Sequence, residues 1–127
     1  MALPFLQLNM HKALQAAVEL GHLLTNSPGV ALLQEPYTAF GKVAMVPKGL
    51  SLHAFGGDVA PRAAVLVPRR LQALTVEHLC TRDSAVVSVC LQGRTVLAAS
   101  VYMDSTLPVL QPWLEDIFSF AEHKDLL

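Results

Sequence analysis

Charged residues are scarce in this chain. Lys, Arg, Asp and Glu make up 15% of its 127 residues, while 53% are hydrophobic. A typical soluble domain has about 25% charged residues, so the usual polar surface is missing. Two explanations fit: a β-sheet buried on both faces, as in α/β proteins, or an apolar surface that a partner covers.

Long hydrophobic runs are also absent. No uncharged apolar stretch reaches the roughly 18 residues that a membrane-spanning helix needs. The N-terminal residues lack the basic flank of a signal peptide. From these absences we expect a soluble, intracellular protein without a membrane partner.

Cysteine is rare as well. Cys80 and Cys90 form no CxxC pair and no metal-binding spacing with the five scattered histidines. We therefore expect reduced, buried thiols rather than a disulfide or a zinc site.

The hydrophobic pattern begins with a βαβ unit. Residues 5–9 alternate between apolar and polar as a half-buried strand does, and residues 11–25 carry an apolar stripe at helical spacing. Residues 30–33 form a second strand. Strand, helix and strand within about 30 residues predict a parallel pair of strands.

Short β-branched runs separated by Gly and Pro follow, and an amphipathic helix comes last. The predicted strands cover residues 42–46, 50–55, 62–67, 73–78, 85–91 and 95–103. The predicted helix begins at Pro108, after an N-cap at Ser105 or Thr106, and ends near residue 124. We expect one domain with an α/β (α+β) fold, in which two helices accompany one mixed, mostly antiparallel sheet.

The second strand ends on Glu35 and is stopped at once by Pro36, while Asn9 ends the first strand. The carboxyl ends of two parallel strands open on the same edge of a sheet, where α/β proteins bind ligands. Mg²⁺ prefers one or two fixed carboxylate oxygens together with water and phosphate, so Glu35 beside Asn9 is a candidate metal or phosphate site. The alternatives are a solvent-exposed acid at Glu35 and a helix cap at Asn9.

Tyr102 stands at the end of the last predicted strand. A phenol in that place can donate a hydrogen bond to a phosphoryl oxygen, although core packing with the hydroxyl at the surface is the commoner arrangement. No Ser/His/Asp or Cys/His arrangement occurs at an informative spacing.

Several segments, in this order, resemble the endonuclease/exonuclease/phosphatase superfamily, and in particular the endonuclease domain of non-LTR (LINE-type) retrotransposons. They are Leu8-Asn9, residues 31–37 with the Gln-Glu-Pro-Tyr motif, residues 62–67 and residues 99–103. The resemblance implies a four-layer α/β sandwich of two packed sheets whose enzymes hydrolyse a phosphodiester bond with Mg²⁺. A phosphatase of the same superfamily, acting on small phosphoesters, is an alternative that the Gln-Glu-Pro-Tyr context disfavours.

The resemblance also implies roles for single residues. Glu35 would bind the metal, Asn9 would orient the metal or the phosphate, and Tyr102 would contact the phosphate or the transition state. Tyr37 and Arg62 would face DNA. The implied partners are target DNA and a reverse transcriptase domain in the same polyprotein, and the implied place of action is the nucleus.

Two further motifs of that family, Gly-Asp-x-Asn on a strand and Ser-Asp-His, have no counterpart in these 127 residues. We therefore expect residues 1–127 to be the N-terminal half of the domain and to cleave no DNA alone. We also expect the inner face of their sheet to be uncovered, which would favour self-association. The alternative is a degenerate, stand-alone half-domain that acts as a binding or interaction module.

Overall fold

The βαβ unit that the sequence predicts is present at the start of the chain. The computed structural model describes residues 3–103 and 115–120. The first elements are β1 (Phe5–Asn9), α1 (Leu14–Asn26) and β2 (Val30–Gln34). β1 and β2 pair in parallel, as predicted. The helix begins at Leu14 rather than at His11, because His11 and Lys12 have left-handed backbone conformations, with φ angles of 49° and 58°.

The other strands are divided between two sheets and a hairpin. They are β3 (Thr38–Ala39), β4 (Lys42–Val43), β5 (Leu50–His53), β6 (Ala63–Pro68), β7 (Ala73–Thr75), β8 (Ser84–Leu91) and β9 (Arg94–Val101). Sheet I has the strand order β1-β2-β6-β5, sheet II has the order β7-β8-β9, and β3 pairs with β4 alone. Every pair except β1–β2 is antiparallel. The α+β class and the mixed, mostly antiparallel pairing are confirmed, whereas the division into two sheets corrects the expectation of one.

Hydrophobic side chains point to both faces of each sheet. On β6, Leu66 belongs to the core beneath α1, while its neighbour Val65 belongs to the core between the two sheets. On β8, Val87 faces the same inter-sheet core, and Val86 faces the helical residues 115–120. The layers therefore follow in the order α1, sheet I, sheet II and the segment 115–120. This is the four-layer arrangement that the resemblance implies.

The inner face of sheet I is covered. The sequence led us to expect this face to be open, and the structure corrects that expectation, because valines and alanines of sheet II pack against it. All of β6 and most of β8 are buried on both faces, which accounts for the low charge content. Because sheet II covers this face, the face gives no reason to expect self-association.

The C-terminal helix is described in part. Residues 115–120 are helical, and Ile117 packs with Leu79 and Val86. The predicted N-cap at Ser105 or Thr106 and the predicted start at Pro108 lie outside the described residues. None of the helices in the described part of the chain has the length and apolar character needed to cross a membrane.

Both cysteines are free thiols, as predicted; Cys80 is buried, whereas the prediction of burial is wrong for Cys90, which is half-buried. Burial raises the pKa of the Cys80 thiol above its usual value. Cys80 is therefore protonated at neutral pH and has little of the thiolate character that makes a cysteine reactive.

A buried histidine links the two sheets. His53 lies on β5 of sheet I, and its Nδ1 is 2.7 Å from the Thr75 Oγ1 on β7 of sheet II. Its Nε2 is 2.9 Å from Ser51 Oγ. Burial lowers the pKa of His53 from its usual value of 6.5, so the neutral ring forms this link.

Acid should weaken the link at His53. The pKa of this group is lower in the folded chain than in the unfolded chain, so the unfolded chain binds more protons once the pH falls below 6.5. The free energy of unfolding should therefore decrease between about pH 7 and about pH 5, as urea titrations would measure. His53→Gln should remove part of this decrease, whereas the same change at the exposed His22 should not. Equal pH dependence in His53→Gln and the unaltered chain would contradict this prediction.

Candidate functional site

The carboxyl ends of β1 and β2 lie side by side. Asn9 is paired with Gln34, so Glu35 follows immediately on the neighbouring strand. The Lys12 N–H donates to the Glu35 carbonyl oxygen over 2.8 Å, which joins the two loops that leave the strands. We call this end of sheet I, formed by residues 9–12 and 35–37, the Glu35 edge. The structure thus brings together the Asn9 and Glu35 positions that the parallel pairing predicts.

The backbone of the Glu35 edge is strained. Glu35 has a φ angle of 47°, in the left-handed region that His11 and Lys12 also occupy. For a residue other than glycine, this conformation costs on the order of 1–2 kcal/mol. The Glu35 N–H donates to the Arg62 carbonyl oxygen over 2.9 Å, so hydrogen bonds hold this residue from both sides. Strain that the surrounding structure maintains is common at binding and catalytic sites, which makes the Glu35 edge the candidate site.

The Glu35 carboxylate is accessible and lies near an imidazole. Its side chain is 24% exposed, and its Oε1 is 3.9 Å from Nδ1 of His11, whose side chain is 79% exposed. Sequence reasoning missed His11 as a site residue, because a helical first turn was expected there and only the left-handed backbone brings it to Glu35. A carboxylate and an imidazole can both bind a cation, and a protonated imidazole can also pair with phosphate.

Asn9 holds the turn next to Glu35 and does not cap the helix. Its Oδ1 accepts a hydrogen bond from the His11 N–H over 3.0 Å. The N-cap of α1 is Ala13, which makes no side-chain hydrogen bond. The helix-cap alternative is therefore excluded, and Asn9 acts as a local turn residue at the Glu35 edge.

An open cavity of about 420 Å³ lies between β1, β2 and the end of β9. Its lining includes Gln7, Asn9, Gln34 and Tyr102. Asn9 and Tyr102 therefore face the same space, although they come from different sheets. Glu35 is the residue after Gln34, and its N–H donates to the carbonyl oxygen of Arg62, whose guanidinium group lies over the Tyr102 ring. The structure thus gathers Asn9, Glu35 and Tyr102 at one end of the sandwich.

Hydrogen bonds connect two residues that line this cavity, Gln7 and Gln34, to Ser100. The Gln34 Nε2 donates to the Ser100 Oγ over 2.9 Å, and the Gln34 Oε1 accepts a hydrogen bond from Gln7 Nε2. The Ser100 Oγ donates in turn to the Leu33 carbonyl oxygen. The network ties β1 and β2 of sheet I to β9 of sheet II. No sequence pattern reveals it, because Gln34 and Ser100 are far apart in the chain.

Arg62 lies in an internal ion pair beside Tyr102. Its Nε and Nη2 donate to the two carboxylate oxygens of Asp83 over 2.6 and 2.8 Å, and its side chain is 19% exposed. The guanidinium carbon lies 4.6 Å from the centroid of the Tyr102 ring, at a distance typical of a cation–π contact. Arg62 therefore supports the Tyr102 ring, and its contact with DNA stays a prediction.

Tyr37 follows Glu35 by two residues in the sequence, whereas the cavity-lining Gln34 precedes it. It is half-buried and packs against the core between α1 and sheet I. Its carbonyl oxygen accepts a hydrogen bond from the Ala44 N–H over 3.0 Å. Tyr37 thus anchors the segment that follows the Glu35 edge, and its contact with DNA also stays a prediction.

The fold that these layers define is that of an endonuclease domain. A solved structure that shares it is the endonuclease domain of TRAS1, a telomere-specific non-LTR retrotransposon, with a TM-score of 0.75 and 21% sequence identity. The match covers 95% of this chain and 54% of that chain, so this chain spans about half the length of its structural neighbour. No family model and no curated protein matches the sequence. The likeness confirms the fold that the resemblance implies.

Proposed function

We propose that this chain is part of a metal-dependent endonuclease domain that nicks target DNA for a non-LTR retrotransposon. The observation that carries the proposal is the Glu35 edge. There, an accessible carboxylate is held by strained backbone beside Asn9, and Asn9 lines the same cavity as Tyr102. In a chain with an endonuclease fold, this arrangement is suited to a phosphodiester group.

The donor groups at the Glu35 edge fit Mg²⁺ as part of a ligand set. Glu35 offers one partly exposed carboxylate, and Asn9 lies beside it on the paired strand. Mg²⁺ commonly takes one or two carboxylates and completes its shell with water and phosphate oxygens. Within residues 3–103 and 115–120, no three His, Cys, Asp or Glu side chains gather as a metal cluster. When bound, Mg²⁺ would act as a Lewis acid that stabilises negative charge on the phosphoryl group.

The residues of this chain bind and orient the scissile phosphodiester in our proposal. Asn9 orients the phosphate or the metal. The Tyr102 hydroxyl donates a hydrogen bond to a phosphoryl oxygen, where charge develops in the transition state. Arg62 holds the Tyr102 ring in place through its ion pair with Asp83. Tyr37 and Arg62 contribute contacts to the DNA near the cut.

The proposal includes partners outside this chain. Its structural neighbour is a domain of a retrotransposon, and this chain spans 54% of that domain. We infer that a reverse transcriptase domain belongs to the same polyprotein and that the protein acts on DNA in the nucleus.

Plasmid nicking tests the proposed activity. The chain alone should leave supercoiled DNA uncut in the presence of Mg²⁺, because one carboxylate is a small ligand set for this cation. A chimera in which this chain replaces the matched half of the TRAS1 domain should nick DNA. Glu35→Gln should slow that nicking by about a hundredfold or more. The matched change at Glu19, an exposed acid on α1, should have no effect.

Two results would contradict parts of this account. Robust nicking by the chain alone, abolished by Glu35→Ala, would contradict the expectation that this chain is inactive by itself. Nicking by the chimera that Glu35→Gln leaves unchanged would show that Glu35 is not a metal ligand.

A stand-alone binding module is the second candidate function. It is favoured by one observation, which is that both sheets supply the buried inter-sheet core within this chain. Tight binding of duplex DNA, combined with an inactive but folded chimera, would favour this candidate over the endonuclease.

A further inference from the structure

The hairpin of β3 and β4 turns at an unusual pair of residues. Thr38 pairs with Val43 and Ala39 pairs with Lys42, so Phe40 and Gly41 form a two-residue turn. Their φ angles are 54° and 76°, as in a type I′ turn, whose first position favours Asn, Asp or Gly. A bulky aromatic residue at this position is therefore strained.

Packing contacts of the Phe40 side chain do not offset the backbone strain. Its exposure is 103%, so the ring is surrounded by solvent. Leu74 is 72% exposed on the regular strand β7 but has no positive φ angle. Met45 has a φ angle of 61° but is 54% exposed, so Phe40 combines the strain with the more exposed side chain. A strained backbone that displays an aromatic ring to solvent points to a contact with a partner.

The position of the hairpin relates this ring to the candidate site. The hairpin follows Tyr37, the last residue of the Glu35 edge, and the Tyr37 carbonyl oxygen and the Ala44 N–H close its base with a hydrogen bond of 3.0 Å. Lys42 is exposed on the hairpin itself, and Lys12 is exposed at the Glu35 edge. An exposed aromatic ring on the same hairpin as an exposed lysine suits nucleic acid, because the ring can stack on a base while the ammonium group contacts a phosphate.

We propose that Phe40 is a wedge that inserts between bases of duplex DNA, while Lys42 contacts the phosphate backbone beside it. The wedge stacks on a base and opens the step next to the nick site, as apolar side chains do in other DNA-bending proteins. This proposal rests on the proposed function, since it describes how the same site would bind its DNA.

Binding of a short labelled duplex to the 127-residue chain tests the wedge. Base stacking by an aromatic side chain contributes about 1–3 kcal/mol, so Phe40→Ala should weaken binding roughly tenfold, while Phe40→Trp should keep it. Leu74→Ala, which removes another exposed apolar side chain elsewhere, should not change the affinity. Phe40→Ala should leave the salt dependence of binding unaltered, whereas Lys42→Gln should reduce its log–log slope by about 0.9.

A fluorescent base reports the insertion itself. With 2-aminopurine placed at successive positions of the duplex, the unaltered chain should raise the emission at one step, because unstacking relieves quenching. Phe40→Ala at saturating concentration should leave the emission low. Phe40→Asn should fold with a higher thermal midpoint, since Asn tolerates the left-handed conformation, and should also fail to raise the emission.

The outcomes separate this proposal from the proposed function. If the unaltered chain binds duplex DNA and Phe40→Ala binds equally well with the same emission, the wedge is wrong and the proposed function stands. If the unaltered chain does not bind duplex DNA, the wedge is wrong, and nicking by the chimera decides separately on the proposed function. If Phe40→Ala instead abolishes self-association in sedimentation, or binding to anionic lipid vesicles, while DNA binding is unchanged, the ring serves a second copy or a membrane and the wedge is overturned.

Discussion

Replacement of Asp83 by alanine should lower the free energy of unfolding by about 1.5–3 kcal/mol. Asp83 and Arg62 are mostly buried, with 14% and 19% of their side chains exposed, and two short hydrogen bonds join them. Removal of the carboxylate takes two hydrogen bonds and a negative charge away from a guanidinium group that is only 19% exposed. The cation–π contact with Tyr102 cannot replace them, since such contacts contribute about 0.5–2 kcal/mol.

Urea unfolding of matched variants would test this expectation. Asp58 is an exposed acid, so Asp58→Ala should change the free energy of unfolding by less than about 0.5 kcal/mol. The double change Arg62→Leu and Asp83→Leu should restore much of the stability, because replacement of both members of a buried pair by apolar residues is often neutral. A loss in Asp83→Ala no larger than in Asp58→Ala would show that the pair is open to solvent.

Val65→Asp should leave the chain largely unfolded. Val65 is fully buried on β6 and faces the core between the two sheets. An aspartate there has no partner for its charge, and its burial should cost about 5 kcal/mol or more, which is comparable to the whole stability of a small domain. Circular dichroism and urea unfolding would measure the loss.

This variant distinguishes a covered inner face from an open one. Leu74→Asp places the same side chain on β7 at a position that is 72% exposed, and it should keep the fold. If the inner face of sheet I were open, as the sequence led us to expect, Val65→Asp would be as well tolerated as Leu74→Asp. A folded, soluble Val65→Asp chain would therefore contradict the two-sheet packing.

Local patterns were sufficient to predict the first βαβ unit and the meeting of Asn9 with Glu35. One simple arrangement fits the alternation in β1, the apolar stripe of α1 and the length of the connection. It is a parallel pair of strands whose carboxyl ends lie at the same edge of the sheet. The positions of Tyr102 and of the layers came from the resemblance, and the fold confirms the layers.

Long-range features could not be predicted in this way. The run of antiparallel strands has the same alternation whether it forms one sheet or two, and only the observed strand pairing shows that β7, β8 and β9 form a second sheet. The left-handed backbone at His11 and Glu35 has no local signal, because these residue types seldom adopt it. Arg62 has its Asp83 partner on a distant loop, so an exposed, DNA-facing arginine was the simpler expectation from sequence.

The most direct test of the central claim is amide chemical-shift mapping by NMR, in which the labelled chain is titrated with a short DNA duplex in the presence of Mg²⁺. We predict that the largest shifts occur at the Glu35 edge, at Tyr102 and at the Phe40–Gly41 turn. Glu35→Gln should reduce the Mg²⁺-dependent part of the shifts at the Glu35 edge. Shifts confined to the opposite end of the sheets, at Arg69, Arg70 and the turn at Gly93, or no shifts at saturating duplex, would contradict a DNA site at Glu35.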